Sequence, residues 1–94
     1  MIGVTLIASS PEYSTYEVIV GTNNPVRYVV YLSPDFYIRL SARQFTHEWI
    51  LVQAFQYLLE QEKYPAVPKT FNLEDLVSKF PEFETTIKKR LNTH

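Results

Sequence analysis

A chain of 94 residues is the size of one domain, here 1–94, and a domain of this size buries about two-thirds of the surface its unfolded chain exposes, which leaves little core to spare for an elaborate active site. With 46% apolar and 15% aromatic residues the composition excludes a disordered tail, a collagen-like chain and a low-complexity segment, and the absence of Cys excludes disulfides, thiolate metal sites and Cys nucleophiles. Nine Lys and Arg against ten Asp and Glu give a formal charge of −1, whereas proteins that grip nucleic acid through its phosphates usually carry a basic excess.

The first third reads as strands. Residues 2–8 are apolar and rich in β-branched side chains, and Ser9, Ser10 and Pro11 interrupt them. The small residues closing this segment resemble a cleavage site, but there is no basic start and the apolar run is short, so a strand is the better reading. Residues 16–20 and 26–32 flank Gly21, Thr22, Asn23, Asn24 and Pro25, residue types that accept turn geometry, and together they predict a β-hairpin. If Val20 faces Val26, then Tyr16, Val18, Val20, Val26, Tyr28, Val30 and Leu32 share one face, because side chains alternate across the pleat. That face is the expected core. The opposite face carries Glu17 and Arg27, which can pair across the strands, but also Ile19, Val29 and Tyr31. A sheet with one wet face is ordinarily less apolar on it, so a neighbouring element or a second copy is expected to cover this surface.

The period then becomes helical. Ser33, Pro34 and Asp35 are a start signal: a Ser cap, a Pro where its missing N–H costs nothing, and an acid near the positive end of the dipole. This predicts a helix over 34–41 with Phe36 and Leu40 inward. A longer helix follows over 47–62, capped by Thr46, with Glu48 in its first turn and Phe45 placed to staple onto Ile50. Its apolar stripe is Leu51, Ala54, Phe55, Leu58 and Leu59, with Gln53, Gln56, Glu60 and Gln61 opposite. Two prolines keep the connector over 64–70 extended. Asn72 is the expected cap of a helix over 73–80 with Leu73, Leu76, Val77 and Phe80 inward, and Pro81 breaks it from a last helix over 81–91 built on Phe83, Ile87 and Leu91. The fold class is therefore α+β, a two- or three-stranded antiparallel sheet against one long helix, with two short C-terminal helices.

Residues 54–62 and 71–87, above all Phe80-Pro81-Glu82-Phe83, resemble a group of short, functionally uncharacterised bacterial proteins. Those chains have a hairpin, a helix ending in aromatic-Leu-Leu-Glu and a later aromatic-Pro-Glu-aromatic motif. The resemblance spans roughly Tyr28 to Leu91, while the Ala66-Val67-Pro68-Lys69 connector is more proline-rich than the pattern. It implies a hairpin-plus-helices domain and supplies no activity and no functional residues to carry over.

The motifs of catalysis are missing. His47-Glu48 begins like a zinc helix, yet that motif needs a second His four residues on and position 51 is Leu, so His47 reads as a solvent-facing residue of a first helical turn. His94 is the terminal residue. There is no nucleophile elbow, and Gly3 and Gly21 lie too far apart for a phosphate loop. The acidic pairs Glu60/Glu62, Glu74/Asp75 and Glu82/Glu84 are accounted for as solvated faces and caps. The expectation is a protein that is not an enzyme and has no cofactor and no metal. No apolar run approaches the length of about 18 residues that a spanning helix needs, so a cytoplasmic protein without membrane contact is expected.

Two binding readings follow. The first is a non-catalytic protein-binding or regulatory module whose partner is another protein or a second copy of itself, with Ile19, Val29 and Tyr31 of the outer sheet face as the contact and Tyr37 and Trp49 as further partner-facing aromatics. The alternative is a nucleic-acid-associated, antitoxin-like regulator using Lys88, Lys89 and Arg90 of the last helix. Helix-end electrostatics explains that basic run without any ligand.

Overall fold

The structure is a computed structural model that describes residues 1–61 and 67–92. Its strands are β1 (Ile2–Ser9), β2 (Ser14–Val20), β3 (Val26–Leu32) and β4 (Thr70–Asn72), and its helices α1 (Pro34–Ser41), α2 (His47–Leu59), α3 (Leu76–Lys79) and α4 (Phe83–Asn92), with a 3-10 turn over Leu73–Asp75. The α+β class stands, but the sheet is mixed and four-stranded in the order β1-β2-β3-β4. The first three strands are antiparallel, and β4 runs parallel to β3. This corrects the expected two or three antiparallel strands. The described end of the connector lies beside β3, where extended backbone pairs, with Val29 N–H donating to Lys69 O at 2.7 Å.

The hairpin register is the expected one, Val20 opposite Val26 and Val18 opposite Tyr28. Gly21 turns it with φ of 102°, a conformation that costs a side-chain-bearing residue strain. Tyr16, Val18, Val20, Tyr28, Val30 and Leu32 are buried on one face, while Val26 at the loop end is only partly covered. On this face the ring of Phe55 from α2 meets Tyr28 at 5.3 Å and Phe71 of β4 at 6.2 Å, so α2 lies on the core side of the sheet. Tyr57 extends the core toward the last helix, packing edge-on against Phe80 and Phe83 at 6.0 and 5.6 Å.

The two start signals operate as read. Phe36 N–H donates to Ser33 Oγ at 3.2 Å, and Trp49 N–H to Thr46 Oγ1 at 3.0 Å. Between these helices Ala42 and Arg43 both adopt left-handed backbone, φ 51° and 63°, which ends α1 and swings the chain toward α2. Helix α2 stops at Leu59, short of the expected 62, and position 62 itself lies outside the described residues, as do residues 64–66 of the connector and His94. Two details of the α2 face reverse: Gln53 is buried and Leu59 is exposed. Asn72 does not cap the following turn, because that turn is 3-10 and the Asn72 side chain makes no cap bond. The expected helix over 73–80 is therefore a 3-10 turn followed by the short α3, and the last helix begins at Phe83, after Pro81 and Glu82 have made the turn.

Candidate functional site

The outer sheet face is set by register. Ile19 lies opposite Arg27 and Gly3, Val29 opposite Glu17 and beside Thr70, and Tyr31 opposite Thr15 and beside Asn72. Ile19, Val29 and Tyr31 are each half-buried. The Tyr31 ring meets the exposed Tyr13 edge-on at 5.9 Å, and Arg27 pairs with Glu17 across the strands as expected. Tyr31 also forms one wall of a groove of about 280 Å³ against Phe71, Asn72, Asp75, Leu76 and Lys79. In this region Asn72 Oδ1 is buried and has no hydrogen-bond partner.

The five candidate contact residues do not form one surface. Tyr37 and Trp49 sit on α1 and α2, on the opposite side of the sheet from Ile19, Val29 and Tyr31. Trp49 is 37% exposed. Tyr37 is half-buried and pinned: its hydroxyl donates to Phe45 O at 2.6 Å, and its ring lies 4.3 Å from the His47 ring. His47 corrects its own expectation as well. It is half-buried, and its Nδ1 shares a hydrogen bond of 2.9 Å with the Tyr16 hydroxyl. Burial pushes the His47 pKa down against the opposing pull of Glu48, and burial, then Glu48, then Tyr37 push the Tyr16 phenol up to about 12. Both shifts favour the uncharged forms of the two groups, and the His47 tautomer sets which of them donates. The arrangement joins β2, α1 and the start of α2. Its long-range partner, 31 residues away, is what the sequence could not show.

The basic run is largely occupied. Lys88 Nζ lies 3.0 Å from Glu84 Oε2, Arg39 Nε donates to the same carboxylate at 2.8 Å, and Arg90 pairs with Glu60 and stacks 5.8 Å above the Tyr57 ring. Hydrogen bonds from Arg39 and Lys88 hold the Glu84 carboxyl down at about 2. Among the described residues no group of three or more His, Asp and Glu is placed to hold a metal ion, and no helix is long and apolar enough to cross a membrane. Compared with known proteins, the chain matches no family model, no curated protein and no solved structure.

Proposed function

We propose that the chain is a small non-catalytic module that acts by binding protein, and that the outer sheet face at Ile19, Val29 and Tyr31 is its contact surface for another protein or a second copy. The reading is supported by one observation: an apolar trio lies on the outer sheet face and is half-buried, while the buried hydrophobic residues of the hairpin point to the other side. Such a face gains free energy when a partner removes it from water, at about 25 cal/mol per Å² of apolar area. Tyr13 and Tyr31 at its margin have the aromatic character of binding hot spots. The ion pairs of Lys88 and Arg90 weigh against the nucleic-acid alternative, because phosphate binding would have to displace carboxylates already in place. The test is affinity capture from the native host with the wild-type chain and with an Ile19→Lys/Val29→Lys variant of unchanged circular dichroism. A protein retained in stoichiometric amount by the first and lost by the second is expected.

A further inference from the structure

The two edges of the sheet are built differently. The β4 edge is only three residues long and follows Pro68 and Lys69, features that keep another strand from adding there. The β1 edge runs for eight residues, Ile-Gly-Val-Thr-Leu-Ile-Ala-Ser, with no charge and no proline, and its only blunting device is the bulge between Leu6 and Ala8. Large apolar side chains stand exposed along it, Leu6 at 50% and Ile7 at 48%.

The backbone phase of β1 is fixed. Gly21 N–H donates to Met1 O at 2.9 Å, so Met1 and Gly21 form a hydrogen-bonded pair, and alternation then turns the backbone groups of Gly3 and Thr5 toward β2. Ile2, Val4 and Leu6 consequently turn their N–H and C=O groups outward, to the free edge. Their side chains lie on the core face, because they stand opposite Val20, Val18 and Tyr16. The residues that can accept a new strand are thus the same ones whose apolar side chains are incompletely covered.

We infer that a second copy of the chain pairs with this edge, β1 against β1 antiparallel, about a twofold axis at Val4. In this register Val4 bonds its own counterpart, Ile2 bonds Leu6 and Leu6 bonds Ile2, so all three outward residues are satisfied before the bulge. Leu6 is covered by the Ile2 of the other copy. The outer face places Gly3 against Thr5, a pair with no bulk to clash. Because β1 carries no charge, a strand paired with its own copy brings no like charges together. The edge alone falls short of the roughly 800 Å² per partner of a standard stable interface, so the dimer is of the reversible, concentration-dependent kind. It joins the two sheets into one and sets their outer faces side by side. The inference does not depend on what binds the outer face.

The absence of Cys from the chain makes a clean probe. Val4→Cys and Thr5→Cys are oxidised separately and their masses read by denaturing electrophoresis, and the wild type and Val4→Pro are weighed by sedimentation equilibrium up to about 0.5 mM. A dimer of twice 11.0 kDa for the wild type is expected, with efficient crosslinking at Val4 and little at Thr5, whose counterparts are too far apart in this register for a disulfide. Val4→Pro removes an outward N–H and trims a half-buried side chain while sparing the β1–β2 ladder bonds, and is expected to leave a folded monomer, its fold checked by circular dichroism. Crosslinking at Thr5 rather than Val4, a wild-type mass of 11.0 kDa throughout, or a dimer that survives Val4→Pro but is lost in Ile19→Lys/Val29→Lys would each overturn the proposal; the last would instead place the second copy on the outer face.

Discussion

Glu84 is the residue on which the most charge converges. Its carboxyl, held at about 2 by Arg39 and Lys88, contributes stability that is fully present above the ordinary carboxylate value and is lost as pH falls toward the folded-state value. Both cations are about half exposed, so water screens the pair and the contribution is on the order of 1 kcal/mol. Glu84→Gln is expected to lower stability by that amount at pH 7 in urea denaturation, with the gap to wild type narrowing below pH 4.5 and closing only as the pH approaches 2; an undiminished gap at that end would contradict the ion-pair account. For His47 it is the charged form that folding disfavours. Its folded-state pKa is depressed, so the unfolded chain takes up the proton first, and stability falls as pH drops through 6.5 toward the folded value. An NMR titration of the His47 ring is expected to give a midpoint below 6.5, and one at or above it would contradict the burial of this ring.

At the scale of elements, the turn between α1 and α2 stores strain that the hydrogen bonds around it offset. Arg43 is exposed and left-handed with a full side chain, so Arg43→Gly is expected to raise the unfolding free energy by roughly 0.5–1 kcal/mol. Thr46→Ala, which removes the cap of α2, is expected to cost about 1 kcal/mol. Thermal or urea unfolding of the two variants reads opposite signs. The caps, the hairpin and its core face were legible in the sequence because each rests on local chemistry: Ser33 and Thr46 at the caps, a glycine at the turn, alternation along Tyr16 to Val20. The fourth strand was not legible. Thr70, Phe71 and Asn72 carry no strand pattern of their own, and what makes them a strand is the free edge of β3 alongside. Asn72 looked like a cap for the same reason: its type fits the role, and only the 3-10 geometry of the next turn shows that the role is not filled.

The same limit governs the candidate site. That Ile19, Val29 and Tyr31 share a face followed from a period of two, and the register bears out the shared face. Grouping them with Tyr37 and Trp49 rested on residue type alone, and the helical layer puts those two on the other side. The Tyr16–His47 contact, spanning 31 residues, has no local trace at all.

For the whole molecule, the buried side of the sheet supplies stability, while Ile19, Val29 and Tyr31 on the other side are half-buried among the described residues. Phe55, fully buried against Tyr28 and Phe71, is expected to cost about 3–5 kcal/mol as Phe55→Ala in urea unfolding, a large part of the stability of a domain this small. The outer-face residues are expected to behave differently, with Ile19→Lys/Val29→Lys changing binding far more than unfolding. The central claim, that the outer face is a protein contact, is tested most directly by quantifying what the wild type and this double variant each retain from a native extract. One protein is expected to be held stoichiometrically by the wild type and to be absent from the variant. Equal retention by both, or no retained protein from the wild type, would contradict it.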